Sequence, residues 1–188
     1  MNPHLQPTEP SLPLRSDRHP DPPEVVKHWL ATAHPTPQRA YAEWTDQGVA
    51  LIPLGRRFNA IRIPGPLIHA ATGSDQPDHL AQTMQDRLDG PVIHDHLTTG
   101  ATYYALVPYG PGIPWLGAND TPLLGHGVYL GVPALERTAP PGTYWITPPR
   151  HRNDLCAHDA VFDLVLEGRR HLRAAASNNT NAPPSDHR

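Results

Sequence analysis

Residues 128–149 have the sequence VYLGVPALERTAPPGTYWITPP, which contains two short apolar runs at residues 128–133 and 143–148. Both runs are rich in β-branched and aromatic residues, and both end at a proline, which cannot donate to a sheet ladder. The link between them is polar and includes two prolines and a glycine, which favour turns. This pattern predicts a β-hairpin with a long loop in the core of the fold.

Upstream of this segment, periodic apolar residues and capping signals predict several helices. They lie over residues 24–33, over 37–47 with Gly48 as the stop, over 65–71, between Asp75 and Gly90, and from Asn153 or Asp154 onward. Apolar runs predict paired strands at residues 49–54 and 59–63, and further strands at 91–93 and 103–107. Residues 95–100 have the composition of a turn, and residues 108–124 that of a loop with Trp115 as its anchor.

This order of elements predicts an α+β domain with a mostly antiparallel sheet covered by helices. We expect residues 49–54, 103–107, 128–132 and 143–147 to share one sheet. Trp29 and Trp44 should pack on it from the first two helices.

The length of 188 residues is typical of one domain. Residues 1–23 and 176–188 are polar and proline-rich, so we predict that both are disordered tails around a single domain at 24–175. A formal charge of −3 and a pI near 6.5 argue against a uniformly basic, nucleic-acid-binding surface, for which a pI above about 9 is expected.

Of 15 lysine and arginine residues, one is lysine, Lys27, which favours a GC-rich genome, and we separately expect a bacterial protein. Cys156 is the single cysteine and is interpreted as a buried structural thiol, because no disulfide or thiolate zinc site can form within the chain. No apolar run has the length of a membrane span and no signal peptide is evident, so we expect a cytoplasmic protein without membrane contact.

His94-Asp95-His96 is the triplet with the most chemical character. On a strand the two imidazoles would point to one face, as zinc ligands do. A third ligand at a suitable spacing is missing, so we assign no metal and interpret the triplet as polar turn residues.

Arginines cluster around the first predicted strand pair. Arg56, Arg57 and Arg62 suggest phosphate binding, because planar guanidinium groups match phosphate oxygens, and a solvated loop is the favoured alternative. Arg150 and Arg152 follow the predicted hairpin and would join this patch if the strand ends meet.

Three segments together resemble one family. They are AEWTDQGVALIPLGRR at residues 42–57, GPVI with YYALVP at 90–93 and 103–108, and the stretch from GVP to WITPP at 131–149. They resemble the N-terminal domain of bifunctional DNA primase/polymerases, the prim-pol branch of the archaeo-eukaryotic primase superfamily. That family has a helix ending at glycine, a strand ending in Pro-Leu and later strands ending in Pro-Pro.

The resemblance implies a prim-pol-like fold that binds nucleotide or nucleic acid. The candidate binding residues are Arg56, Arg57, Arg62, His94, His96, Arg150 and Arg152. The family's metal-binding pattern, apolar-Asp-x-Asp on a strand, has no counterpart in residues 73–90, and Asp95 is a lone carboxylate. We therefore expect a stand-alone, catalytically degenerate domain. One alternative is an active nucleotidyltransferase that uses Asp95, a distant acid such as Asp120, and Mg²⁺ or Mn²⁺. Another is a protein-interaction domain with no nucleic-acid role.

Overall fold

The computed structural model describes residues 19–97, 100–110, 115–117 and 119–180. The helices are α1 Pro23–Ala31, α2 Pro37–Gln47, α3 Gly65–Thr72, α4 Pro77–Leu88 and α5 His158–Thr180. The strands are β1 Val49–Pro53, β2 Phe58–Pro64, β3 Val92–Leu97, β4 Gly100–Pro108, β5 Leu123–Leu124, β6 Tyr129–Pro133 and β7 Tyr144–Thr147.

The strands of the described residues form two antiparallel sheets. One has five strands in the order β5-β2-β4-β3-β7, and the other is a two-stranded ribbon of β1 and β6. Together with the five helices in the described part of the chain, these sheets confirm the predicted α+β class and antiparallel sheet.

Helix starts follow the sequence signals closely. Each of α1 to α4 has a proline in its first turn, where the missing N–H costs no intrahelical bond. Gly48 ends α2 with a φ of 71°, which glycine adopts without strain. The last helix begins at His158 rather than at Asn153 or Asp154, because Asn153 has a φ of 58° and Asp154 accepts a hydrogen bond from the backbone of Arg150.

The predicted strand pairings are wrong in three respects. The four strands expected in one sheet are divided, since β1 and β6 form the ribbon while β4 and β7 lie in the five-stranded sheet. The two runs of residues 128–149 are not a hairpin, because β6 pairs with β1 and β7 with β3. The strands at 49–53 and 58–64 do not pair either, since β2 lies between β5 and β4.

Trp145 explains why the two runs of residues 128–149 do not form a ladder. Its side chain is completely buried, and its indole Nε1 donates to the carbonyl of Pro133 at 3.1 Å. Its backbone N–H donates to the carbonyl of Arg137, so the connecting segment folds back onto this tryptophan. The two strands are therefore held together by a side chain and a turn, and each remains free to pair elsewhere.

The core lies on both faces of the five-stranded sheet. Helices α1 and α2 and the ribbon pack on one face, and α3, α4 and α5 pack on the other. Trp29 and Trp44 are both buried on the first face, as predicted, and Trp44 Nε1 donates to the carbonyl of Val132 at 2.9 Å. Cys156 is buried on the second face.

Chain segments at the predicted boundaries make defined contacts. Asp21 accepts hydrogen bonds from the backbone and side chain of Arg152, and α5 continues past residue 175 to Thr180. Within residues 108–124, Trp115 is half-buried and its Nε1 donates to the carbonyl of Thr121 at 2.6 Å. Residues 1–18 and 181–188 of the predicted tails lie outside the described residues. Among the helices described, none combines the length and apolarity needed to cross a membrane.

Candidate functional site

A cavity of about 580 Å³ lies on the α3–α4 side of the sheet, beside β3, β4 and β7. Its wall includes three histidines, two tyrosines and one aspartate. We call it the histidine–tyrosine cavity and define it by His69, Asp75, His94, His96, Tyr103 and Tyr144.

The floor of this cavity is a row of rings across three neighbouring strands. His94 on β3 is in register with Tyr103 on β4 and with Tyr144 on β7. The His94 ring centroid lies 5.0 Å from that of Tyr103 and 4.7 Å from that of Tyr144. All three side chains are buried, so strand pairing holds the floor in one arrangement.

His96 stands beside this floor. The alternation of side chains along β3 places it on the same face as His94, with 6.3 Å between the ring centroids. The prediction that the two imidazoles share a face if they lie on a strand is therefore confirmed. Their interpretation as turn residues is wrong because β3 extends to Leu97; residues 98–99 of the predicted turn lie outside the described residues.

Burial keeps His94 neutral near pH 7. Desolvation lowers its pKa, the nearby imidazoles of His96 and His69 lower it further, and the Asp95 carboxylate opposes them. Its Nδ1 is buried and has no hydrogen-bond partner among the described residues. A proton there would leave an unpaired donor, which also disfavours the charged form.

His69 reaches the cavity from α3. Its Nε2 lies 3.1 Å from the hydroxyl oxygen of Tyr103, and the two rings meet edge to face. Burial lowers the pKa of His69 and raises that of Tyr103 well above its usual range. The Tyr103 hydroxyl therefore keeps its proton, and we assign neutral His69 the tautomer with its proton on Nδ1, so that Nε2 accepts a hydrogen bond from this buried hydroxyl.

The predicted catalytic carboxylate does not line this cavity. Asp95 occupies the other face of β3, where its Oδ1 accepts a hydrogen bond from the Thr143 hydroxyl at 2.9 Å. The carboxylate in the cavity wall is that of Asp75, which is exposed. Within the described residues, no three His, Cys, Asp or Glu side chains are grouped so as to hold a metal ion.

A second cavity of about 510 Å³ lies where β2 ends and β4 begins. It shares His69 and Ala101 with the histidine–tyrosine cavity, and Arg62 lies in its wall. Arg62 is exposed and pairs in register with Tyr104. The two cavities therefore adjoin at His69.

The other predicted arginines lie elsewhere. Arg57 and Arg152 line a third cavity of about 600 Å³ beside α1, so the turns that carry them do meet, although Arg152 is bound to Asp21. Arg150 is held by Asp89 and Asp154. Arg56 is exposed and lines none of these three cavities.

Three of the six residues that define the cavity, His69, Tyr103 and Tyr144, could not be grouped from any local sequence pattern. His69 lies 34 residues before Tyr103, and Tyr144 follows a further 41 residues along the chain, so no spacing links them. The burial of Tyr144 and Trp145 agrees with the prediction that residues 128–149 lie in the core, whereas Tyr129 of the same segment is 60 % exposed.

The chain matches no protein-family model, and comparisons with curated proteins and with solved structures also find no match.

Proposed function

We propose that this domain binds single-stranded nucleic acid or nucleotide in the histidine–tyrosine cavity, as a non-catalytic domain of prim-pol type. The observation that carries the proposal is the convergence of three imidazoles and two phenol rings in one cavity of about 580 Å³. Cavities of a few hundred to about 1,000 Å³ are typical of small-ligand sites.

Accessible rings on the rim suit a nucleobase. His96 is exposed, and the prolines Pro140 and Pro141 line the same cavity. Stacking of a base on a flat side chain contributes about 1–3 kcal/mol and tolerates any base. The buried tyrosines serve as a rigid floor beneath these rim groups.

The adjoining cavity suits the phosphate that follows the base. The Arg62 side chain forms no ion pair within the described residues, so its guanidinium is available to an anion. Guanidinium groups match phosphate oxygens better than lysine does. A strand that passes His69 would thus place its base in one cavity and its backbone in the other.

The position of Asp95 favours binding over catalysis. Two-metal nucleotidyl transfer needs carboxylates that hold metals about 3.5–4 Å apart. Asp95 lies on the opposite face of β3 from the cavity and is engaged with Thr143. The order of the three prim-pol-like segments is the support for the family part of the proposal.

Fluorescence anisotropy with a labelled oligothymidylate of about eight nucleotides tests this function, since single-strand sites span about 4–16 nucleotides. Arg62→Ala should weaken binding and lower the salt slope by about one counterion. Arg56→Ala is the matched control, because Arg56 is an exposed arginine outside the cavities. Equal losses in both variants, or no binding at low salt, would contradict the proposal.

A further inference from the structure

We infer that the histidine–tyrosine cavity takes up a proton on His69 when an anionic phosphodiester binds, and that the Tyr103 hydroxyl then reverses its hydrogen bond. This inference rests on the proposed function, because it concerns the same ligand. The affinity of the cavity for a phosphodiester would therefore depend on pH.

The geometry of the pair permits both directions of the hydrogen bond. The Tyr103 side chain is 1 % exposed, so His69 Nε2, at 3.1 Å, is the partner of its hydroxyl. A hydroxyl both donates and accepts, whereas an imidazole nitrogen donates only when it carries a proton. With its proton on Nδ1, neutral His69 accepts a hydrogen bond from Tyr103; charged His69 donates one to Tyr103, with no movement of either ring.

His69 also stands where a ligand charge would be felt. It lies in the wall of both adjoining cavities, and Arg62 lines the second. The negative charge of a phosphodiester entering between them would favour the imidazolium form of His69.

The groups around His69 leave it neutral without a ligand. Asp75, in the connection between α3 and α4, favours the charged form of His69. Desolvation outweighs this effect and lowers the pKa of His69. His94 on β3 and Tyr103 on β4 face the ring. Three other cationic or titratable side chains bind backbone carbonyls at the end of α3 instead: His79 binds Thr72, Arg87 binds Ala71, and His171 of α5 binds Ala70.

Linkage fixes the sign of the effect. A ligand that raises the pKa of His69 is bound more tightly when the proton is already present, so affinity increases as pH falls. The increase is at most about tenfold for each pH unit when one proton is taken up. The affinity changes with pH in the range between the lowered pKa of free His69 and the higher pKa of His69 in the complex.

The test is calorimetry on the full chain with the same oligothymidylate, near neutral pH, in two buffers of different ionisation enthalpy. Phosphodiesters and thymines do not titrate there, so any proton taken up belongs to the protein. We expect an uptake approaching about one proton and a matching increase in affinity from about pH 8 to about pH 6.

Variants identify the group that takes up the proton. His69→Gln should abolish the uptake. His126→Gln is the control, since His126 is exposed and lines none of these cavities. Uptake that survives His69→Gln but disappears in His96→Gln would overturn the inference.

A second measurement does not depend on the variants folding. Nuclear magnetic resonance titration of the native chain should show a higher pKa for His69 with the oligonucleotide bound than without it. Binding without proton uptake would overturn this inference and leave the proposed function intact. No binding at any pH would remove both.

Discussion

The carboxylate of Glu43 accepts a hydrogen bond from the backbone N–H of Leu51, with 2.8 Å between Oε2 and the nitrogen. This contact joins α2 to the edge of β1 that faces away from β6. An unpaired strand edge is a template for pairing with another chain, and a carboxylate on it satisfies one free donor. The helix therefore protects the ribbon as well as covering it.

Glu43→Gln should destabilise the domain by about 1 kcal/mol, because a neutral amide oxygen accepts a weaker hydrogen bond than a carboxylate. The backbone N–H of Leu51, and secondarily Arg39, lowers the pKa of Glu43 below its ordinary value of 4.5. The contribution of this charge is therefore complete above that value and is lost as pH falls through the lower, folded pKa. Urea melts of both proteins across this range should converge at the acid end.

Arg39→Ala is the control for the Glu43 prediction. Arg39 forms an exposed ion pair with Glu43, and such pairs contribute about 0.2–1 kcal/mol or less. A loss in Arg39→Ala larger than that in Glu43→Gln would assign the effect to the ion pair rather than to the strand edge.

Asp154→Ala should destabilise the fold by about 1–3 kcal/mol, because it leaves the backbone N–H of Arg150 without its acceptor and removes one of the two carboxylates that pair with Arg150. The Asp154 side chain is 1 % exposed and accepts hydrogen bonds from both the backbone and the guanidinium of Arg150. Thermal denaturation measures the loss. Asp154→Asn retains an acceptor and should lose less; an equal loss would show that charge, not hydrogen bonding, dominates.

Gly90→Ala and Gly73→Ala test two different reasons for a glycine, which are close packing at Gly90 and a left-handed backbone at Gly73. A Cβ on Gly90 would lie 2.6 Å from the backbone nitrogen of Cys156, so the change should cost more than about 2 kcal/mol through overpacking. Gly73 has open space around it but a φ of 71°, which costs about 1–2 kcal/mol for alanine. Chemical denaturation that ranks the two variants in the reverse order would contradict this account.

Local signals in the sequence were sufficient to predict α1 to α4, but they did not give the start of α5 or the partner of each strand. Prolines and glycines mark where α1 to α4 begin and where α2 ends, because those residues act on their own backbone. Strand partners depend instead on which faces pack together. Residues 128–133 and 143–148 are apolar on both faces, so their pattern could not show that Trp145 lies between them and that each pairs with a distant strand.

The sequence predicted only the part of the candidate site whose residues are close together in the chain. Alternation along β3 predicts that His94 and His96 share a face, and they do. His69, Tyr103 and Tyr144 join them through tertiary packing alone. Asp95 follows the same rule of alternation, which places its carboxylate on the face opposite to the imidazoles.

Nuclear magnetic resonance can map directly where a single strand binds. Amide chemical shifts of the native chain should be recorded during titration with the oligothymidylate at low salt. We expect changes to concentrate around the histidine–tyrosine cavity, at His69 and at residues 94–96, 101–103 and 140–144. Changes confined to the third cavity beside α1, or to the β1–β6 ribbon, would contradict this expectation.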